Sequence, residues 1–449
     1  MVTIANYQAR ALARATFSRE NKVKSLRPIF VIAAVSLVVV AITLSVAVQA
    51  HPGNTHKVRY IVKDLGTLGG SFAQAGGISN AGWVEGFSYL PGDNDVHEFL
   101  WHPGDRSLTD LGTLGGSNSF SEYRPNDFGN AGGEAETADP DPNGEDFCGF
   151  GSGLTCLPFY WNKNRMIPQP TLGGNNGAGF GTNDFGDMAG TAENSKVEPT
   201  CPDGSGRLAQ YKPVFWSGGR VHELQTFPGD PVGLAYAINN RGQAVGQSGP
   251  CGVDFLGTNS HALLWNNVKP TDLGNLGGAM NNLAQDINEL GEAVGLSDLA
   301  GDATFHAFLW RGKKMIDLGT LPGDIHSNGE SINIEEEVVG RSADADFNGS
   351  AFVWRNGVMT DLNTLISANS PLFLMNATSN NDLGQIVGSA LVVSTGETHV
   401  FLATPIAGGA LDEEGTSAAT DGMIPRPHFV PTERVRRMLQ QEHRHFRMH

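Results

Sequence analysis

Apolar residues in this chain stand in short runs, separated by segments rich in glycine and asparagine. In VMTDL, Val358–Leu362, the valine, threonine and leucine stand at alternate positions and so share one side, with the period of two that is expected of a strand. Aromatic runs such as HAFLW, His306–Trp310, are short and rich in strand-forming residues, and turn residues follow them at once. The pattern therefore predicts many short strands joined by tight turns.

Three phrases recur in a fixed order, and each occurs seven times. The first is DLGTLGG or a variant of it, the second has the form Asn-x-x-Gly-x-x-x-Gly, and the third is the aromatic run. Copies of the first phrase begin at Asp64, Asp110, Pro170, Glu223, Asp272, Asp317 and Asp361. Copies of the second begin at Ser79, Asn126, Asn183, Asn239, Asn288, Asn333 and Asn381. Copies of the third begin at His97, Leu157, Lys212, His261, His306, Ser350 and His399.

These phrases predict four strands in each unit. In Asn-x-x-Gly the asparagine side chain closes a turn on its own backbone and glycine supplies a positive φ, so the second phrase is a hairpin. A four-stranded sheet cannot bury both faces alone, and units of about 45–60 residues must therefore stack on one another. We predict an all-β fold, a seven-bladed β-propeller of four-stranded antiparallel blades over residues 58–405. A β-solenoid is less favoured, because its rungs are shorter than these units.

The ends of the repeat region predict how the ring closes. Val58–Gly66 supplies a strand of the first phrase with no aromatic strand ahead of it. The last aromatic run, which begins at His399, has no such strand after it. The two ends of the repeat region would together complete one blade.

The first fifty residues predict export. Basic residues between Arg10 and Arg27 precede the uncharged run Ile29–Ala50, which as a helix is long enough to cross a bilayer of about 30 Å. The charge bias places residues 1–28 in the cytoplasm and the rest outside, with membrane contact only through residues 29–50. This hydrophobic helix is either a signal peptide cleaved before His51 or an uncleaved anchor, and its length favours the anchor.

The overall charge limits the partners. Thirty lysines and arginines stand against 47 aspartates and glutamates, a formal net charge of −17, so the surface repels nucleic acid and anionic lipids.

Residues 406–449 lack apolar periodicity and are predicted to be a disordered tail, in which a short basic helix could begin at Glu433. We expect a monomer.

The repeats also carry a family resemblance. HAFLW followed by DLGTLPG and an asparagine-rich hairpin ending in VVG resembles the HAF-repeat family of extracellular bacterial proteins, named for that tripeptide. The likeness spans Asp64 to Leu402, although only His306–Phe308 matches the tripeptide outright. The resemblance implies an exported repeat protein, and no catalytic activity comes with it.

The longest connections predict where a partner binds. In the second, third and fourth predicted units, which would form blades 2, 3 and 4, the connection into the aromatic strand is longer than elsewhere. These connections would lie on the ring face opposite the tight Asn-x-x-Gly turns. We expect a binding or scaffold module of the cell envelope, with a polysaccharide or an envelope protein on this loop-rich face. Insertions without function are equally favoured. The alternative function is an extracytoplasmic hydrolase or lyase, which would need carboxylates or histidines that converge at the channel mouth there.

No catalytic or cofactor-binding residue is predicted. Histidines 97, 261, 306 and 399 recur at one place in the repeat, but Leu157, Lys212 and Ser350 occupy the equivalent places. A structural hydrogen-bonding role is therefore favoured over a catalytic or metal-binding set.

The four cysteines all lie in the long connections. They are Cys148, Cys156, Cys201 and Cys251. An even number in an exported protein predicts disulfides, and three pairings can be formed. We favour Cys148–Cys156, which closes a glycine-rich loop, and Cys201–Cys251, which would join neighbouring blades. A zinc site would normally show a closer Cys-x-x-Cys spacing.

Two segments, DPDPNG and DADFNG, share an Asp-x-Asp-x-Asn-Gly pattern. This pattern suits a loop that binds Ca²⁺, and calcium is the only cofactor that the sequence suggests. The ligands would be Asp139, Asp141 and Asn143 in one loop, and Asp344, Asp346 and Asn348 in the other. Neither loop has a glutamate at the twelfth position, so a simple turn with solvated aspartates is favoured.

Overall fold

The computed structural model describes residues 58–162, 164–199, 201, 209–252 and 258–406. The chain divides at residue 55 into two units, and all the described residues belong to the second. The predicted segments 1–28 and 29–50, and the tail beyond residue 406, lie outside the described residues. Within the described part of the chain, no helix has the length and apolar character needed to cross a membrane.

The described residues form seven four-stranded antiparallel sheets, as the sequence predicts. The first strand is β1 (Arg59–Gly66). Blade 1 contains β2 (Ala73–Ile78), β3 (Val84–Tyr89), β4 (Val96–Trp101) and β5 (Thr109–Asp110). Blade 2 contains β6 (Gly115–Phe120), β7 (Ala131–Pro140), β8 (Leu154–Asn162) and β9 (Arg165–Pro168). Blade 3 contains β10 (Gly173–Thr182), β11 (Met188–Val197), β12 (Ala209–Ser217) and β13 (Arg220–Glu223).

The same order continues around the ring. Blade 4 contains β14 (Val232–Ile238), β15 (Gln243–Gly249), β16 (His261–Asn266) and β17 (Pro270–Asp272). Blade 5 contains β18 (Gly277–Ile287), β19 (Ala293–Leu299), β20 (Phe305–Arg311) and β21 (Lys314–Asp317). Blade 6 contains β22 (His326–Ile332), β23 (Val338–Ala343), β24 (Gly349–Arg355) and β25 (Val358–Asp361), and a 3₁₀ turn, Leu362–Leu365, follows it. Blade 7 contains β26 (Leu372–Asn380), β27 (Ile386–Val392) and β28 (Thr398–Ile406).

Strand β1 is the fourth strand of blade 7. It pairs antiparallel with β28, from Arg59 opposite Ile406 to Gly66 opposite Val400. The predicted closure of the ring by its two ends is therefore confirmed. Closure leaves each blade packed between two others, so no sheet face is left without a neighbour.

The last glycine of the second phrase allows close packing of three strands. Gly340 lies opposite Phe352, whose ring is fully buried. A Cβ at Gly340 would lie 1.9 Å from the main-chain oxygen of Asn328 and 2.9 Å from the Phe352 ring. Glycine recurs here because a larger residue would push the inner strand and the aromatic strand apart.

The first glycine of the second phrase has a different cause. Gly242 and Gly291 adopt φ angles of 71° and 82°, in the left-handed region that the hairpin turn requires. Blade 6 lacks this glycine, and Glu336 adopts a φ of 60° in its place. The turn geometry is thus imposed by the ring even where the sequence does not favour it.

The recurring histidines bind aspartates. His97 Nδ1 lies 2.8 Å from Asp110 Oδ1, and His306 Nδ1 lies 2.9 Å from Asp317 Oδ1. In blade 4 the partner is Asp230 in a preceding loop, 2.9 Å from His261 Nδ1. These contacts join the third strand of a blade to the chain beside it, which is the structural role predicted from the sequence.

Candidate binding site on the propeller axis

The two ends of the ring carry different connections. The hairpins between the first and second strands of the blades lie at one end, which we call the Asn-turn face; its turns are residues 79–82, 126–129, 183–186, 239–242, 288–291, 333–336 and 381–384. The connections between the second and third strands lie at the opposite end, the loop-rich face. Which residues each end exposes decides where a ligand can bind.

A ring of hydrogen bonds joins the turns of the Asn-turn face. Asn183 Oδ1 accepts hydrogen bonds from its own turn, from Phe185 N at 3.0 Å and Asp187 N at 2.9 Å. Its Nδ2 donates to the main-chain oxygen of Asn239 in the next blade, at 3.1 Å. Equivalent links run from Asn126 to Asn183, Asn239 to Asn288, Asn288 to Asn333, Asn333 to Asn381 and Asn381 to Ser79.

The residue after each of these asparagines forms the rim of the channel. Asp184 Oδ1 accepts a hydrogen bond from Asp127 N at 2.9 Å, and Asp382 Oδ1 accepts one from Ile334 N at 2.9 Å. Four of the seven rim residues are acids: Asp127, Asp184, Glu289 and Asp382. The rim is therefore both rigid and negatively charged.

Inside the rim lies an axial cavity of about 110 Å³, and all seven blades contribute to its walls. Seven acids and one arginine line it: Glu122, Asp127, Asp184, Asp286, Glu289, Glu330, Asp382 and Arg124. Arg124 Nη2 donates to Asp286 Oδ2 at 3.0 Å and to Ser331 Oγ at 3.1 Å. Titratable groups from different blades thus meet on the axis, at the end opposite to the one that the sequence favoured.

A β-bulge aims one side chain of the inner strand into the channel. In five inner strands the pairing skips the residue three positions before the first residue of the turn: Gly76, Tyr236, Gln285, Glu330 and Thr378. Bulges re-aim side chains in this way beside functional sites. The equivalent residues in blades 2 and 3 are Tyr123 and Phe180. Sequence reasoning missed this ring of residues, because its identity changes from blade to blade.

Of the seven residues at this position, three are aromatic, three are polar and one is a glycine. Tyr123, Phe180 and Tyr236 come from three adjacent blades, with ring centroids 4.8 Å apart for Tyr123 and Phe180 and 5.7 Å apart for Tyr123 and Tyr236. Burial, the neighbouring Tyr236 and Glu122 raise the pKa of Tyr123 well above its usual value. Tyr123 therefore lines the cavity in a negative electrostatic field, with Phe180 and Tyr236 packed against it.

Glu330 is one of the three polar residues at this position. Burial raises the pKa of its carboxyl to about 7, although hydrogen bonds from Gln285 Nε2 at 3.2 Å and Asn328 Nδ2 at 2.7 Å act in the opposite direction. A carboxyl group that titrates near neutral pH in a cavity can bind a cation or transfer a proton.

The Asn-turn face also exposes apolar side chains around the cavity. At the third position of four turns stand Phe128, Phe185, Leu290 and Leu383, and all four are exposed. Phe128 is 71% exposed and Phe185 is 76% exposed. Sequence reasoning treated this face as plain because its turns are tight. A tight turn nevertheless leaves its third side chain pointing outward, and a group of exposed apolar residues is typical of a binding surface.

The loop-rich face is closely packed in blades 2 to 4. Both predicted disulfides, Cys148–Cys156 and Cys201–Cys251, are present, and the second joins the connections of blades 3 and 4. Phe147 is buried beside the disulfides in a cluster that extends to Tyr236 on the channel wall. The described parts of these connections therefore stabilise three blades. A partner on this face stays a prediction.

The predicted calcium loops are turns closed by their own aspartates. Asp141 Oδ1 accepts hydrogen bonds from Asn143 N at 2.8 Å and Glu145 N at 3.0 Å. Asp344 Oδ1 accepts them from Asp346 N at 2.9 Å and Asn348 N at 3.0 Å. The remaining aspartate of the first loop, Asp139, is exposed. These contacts fit the favoured alternative of simple turns, and calcium binding stays a prediction.

Fold and site together define a disulfide-stabilised seven-bladed β-propeller with a polar axial cavity. No family model matches the chain, and no curated protein matches it. Among solved structures the chain is similar to a puromycin-hydrolysing peptidase of Mycobacterium tuberculosis, at 11% identity and a TM-score of 0.41. The match covers 75% of this chain and 54% of the peptidase, so it spans about half of that protein.

Two lectins are also similar to the chain. The Aleuria aurantia lectin matches at 8% identity and a TM-score of 0.33, over 66% of this chain and 96% of the lectin. The BP39L lectin of Burkholderia pseudomallei matches at 12% identity and a TM-score of 0.35, over 78% of this chain and 98% of the lectin. Likenesses of this size carry no argument about what this chain binds.

Proposed function

We propose that the protein is an exported binding module, a member of the HAF-repeat family, that holds a polysaccharide on its Asn-turn face. The observation that carries this proposal is the exposure of Phe128 and Phe185 in the two turns whose preceding residues, Asp127 and Asp184, line the acidic axial cavity. Two phenylalanine rings exposed in adjacent turns leave apolar area in contact with water, and apolar residues that are grouped and rimmed by polar ones are typical of a binding surface.

The size of the cavity supports an extended ligand. Pockets that enclose a whole small molecule measure about 300–1,000 Å³. The axial cavity measures about 110 Å³, so it receives one group of a ligand whose remainder lies across the rim. Phe128 and Phe185 each follow a rim residue in adjacent blades, and their exposed rings offer flat apolar faces to sugar rings.

Export is supported by the disulfides. Two disulfides in a chain of this size are typical of an oxidising compartment. With residues 29–50 as an anchor or a cleaved signal, the propeller lies outside the cytoplasmic membrane, where envelope polysaccharides are present.

A glycan array tests the proposal. The protein is produced from His51 onward, which includes every strand of the closed ring. We expect binding to at least one class of polysaccharide and a loss of at least tenfold in affinity for Phe128→Ser with Phe185→Ser. Val197→Ser is the matched control, because Val197 is an equally exposed apolar residue of blade 3 outside the Asn-turn face. Failure to bind any glycan would point to a protein partner instead.

A second candidate function, an extracytoplasmic hydrolase or lyase, is favoured by one observation. Glu330 has a pKa of about 7 in a cavity where Arg124 and Asp286 also meet, and such a carboxyl is suited to general acid or base catalysis. New reducing ends or unsaturated products from a bound oligosaccharide, lost in Glu330→Gln, would establish it. Binding without any change in the oligosaccharide would support the binding-module function over the enzymatic one.

A further inference from the structure

The charge of the axial cavity restricts the group that can enter it. Seven acids line the walls, and the single arginine, Arg124, is already paired with Asp286 at 3.0 Å. Attraction between opposite charges is stronger in a partly enclosed cavity than in bulk water. An anionic group would be repelled here, and a neutral group would leave the excess negative charge unbalanced.

Two buried acceptors, one in the wall and one on the residue that hydrogen-bonds to the wall residue Glu330, point to a ligand that brings hydrogen-bond donors. Asn328 and Asn376 occupy the same repeat position in adjacent blades, and among the described residues neither Oδ1 has a hydrogen-bond partner although both atoms are buried. Asn328 is only 9% exposed, and its Nδ2 donates to Glu330 Oε1, which fixes the orientation of its amide. Asn376 lines the cavity directly. A buried acceptor without a donor destabilises the fold, so a donor supplied from outside is favoured.

An aromatic ring lies in the wall as well. Tyr123 lines the cavity together with Glu330, and Phe180 and Tyr236 pack behind it. A cation beside the face of an aromatic ring is attracted by the ring electrons, most strongly where water is excluded. Acids, unpaired acceptors and an aromatic ring together are the features that recognise an organic cation.

We propose that the axial cavity binds the ammonium group of a deacetylated amino sugar within the polysaccharide. Glu330 and Asn376, both in the cavity wall, offer acceptors to its N–H groups, and Tyr123 lines the same cavity. This inference rests on the proposed polysaccharide function and names the group that the cavity recognises. A lysine side chain offers the same chemistry on a different class of polymer, so the experiment separates the two.

Titration calorimetry at neutral pH with two matched hexamers tests the inference. A glucosamine hexamer carries free ammonium groups, and an N-acetylglucosamine hexamer of equal length carries none. We expect the glucosamine hexamer to bind at least tenfold more tightly, with an affinity that falls as salt is added. Equal affinity for both hexamers would overturn the ammonium inference but leave the polysaccharide function in place. Binding of neither hexamer while oligolysine binds would overturn both.

A pair of variants locates the ammonium group. Glu330→Gln should weaken the glucosamine hexamer at least tenfold and leave the acetylated hexamer unchanged. Glu335→Gln is the matched control, because it removes one negative charge from an exposed residue of the same blade outside the cavity. Equal losses in both variants would mean that only the general negative charge of the face acts, which overturns the assignment. The comparison of hexamers on the unaltered protein needs no variant and stays decisive if Glu330→Gln does not fold.

Discussion

His399 Nδ1 lies 2.9 Å from the carboxylate of Asp64, a residue that precedes it by 335 positions. The contact joins the third strand of blade 7 to β1, the strand that closes the ring. Asp64 Oδ1 also accepts a hydrogen bond from Gly66 N at 2.8 Å. One aspartate therefore closes its own turn and holds the aromatic strand, as Asp110 does for His97 and Asp317 does for His306.

This pair makes stability depend on pH. The hydrogen bond to Asp64 raises the pKa of His399 above 6.5, although burial acts against it. For Asp64, burial favours the neutral form, but the hydrogen bonds from His399 and Gly66 outweigh it and lower the pKa below 3.8. The histidine contribution is full below pH 6.5 and is lost as pH rises through the raised pKa, whereas the aspartate contribution is full above pH 3.8 and is lost as pH falls through the lowered pKa.

We therefore expect the stability lost in His399→Gln to be greatest between the two reference values, 3.8 and 6.5, and to shrink in alkaline solution. Melting temperatures of the parent protein and the variant, measured between these two values and again in alkaline solution, test the effect, with His222→Gln as control. A difference that does not change with pH would show that the pair acts through packing alone.

The asparagine ring predicts a graded loss of stability. Asn239→Ala removes both the acceptor of its own turn and the donor to Asn288 O, and leaves buried backbone groups unpaired, which should cost about 1–3 kcal/mol. Asn239→Asp keeps the acceptor but sets a buried carboxylate oxygen against Asn288 O in an acidic rim, so it should cost at least as much as the alanine variant. Urea unfolding measures both, and the exposed Asn94→Ala should change stability by less than about 0.5 kcal/mol. Equal losses for Asn239→Ala and Asn94→Ala would refute a role for the ring.

Glu336 predicts a stabilising substitution. Its φ of 60° is unfavourable for a residue with a Cβ, and the other blades place glycine there. Glu336→Gly should raise the free energy of unfolding by up to about 1 kcal/mol, because relief of strain exceeds the entropy cost of glycine. Gly291→Ala, with a φ of 82° in the unaltered protein, should do the opposite. Thermal unfolding of both variants checks the sign, and a lower melting temperature for Glu336→Gly would contradict the explanation.

The disulfides predict unequal losses. Cys201 and Cys251 close a loop with a sequence separation of 50, and Cys148 and Cys156 one with a separation of only 8. Because closing a longer loop restricts the unfolded chain more, replacing Cys201 and Cys251 by serine should cost about 4 kcal/mol, more than replacing the other pair. Mass spectrometry of the denatured, unreduced chain should find no free thiol. Two free thiols per chain would contradict the pairing.

The sequence by itself determined the architecture of this protein. Three phrases occur seven times each, and the residues of each phrase favour a turn or a strand. These repeats were enough to predict the number of blades, the four strands of each blade and the closure of the ring by the two ends of the repeat region. The four cysteines were paired correctly because each lies in a long connection, and only one pairing closes a loop within one blade and joins two neighbours. Local patterns were sufficient here because each blade is built mostly from contacts within one repeat.

Only the tertiary structure decided where the candidate site lies. Arg124 reaches Asp286 and Ser331, which are 162 and 207 positions away in the chain, and no repeated phrase marks any of the three. The position of the inner strand that holds Tyr123 in blade 2 and Glu330 in blade 6 changes its residue around the ring from glycine to aromatic to polar, so no repeated phrase marks it. A motif records what every repeat needs for folding. The cavity is made by the differences between repeats, which the closed ring brings together on one axis.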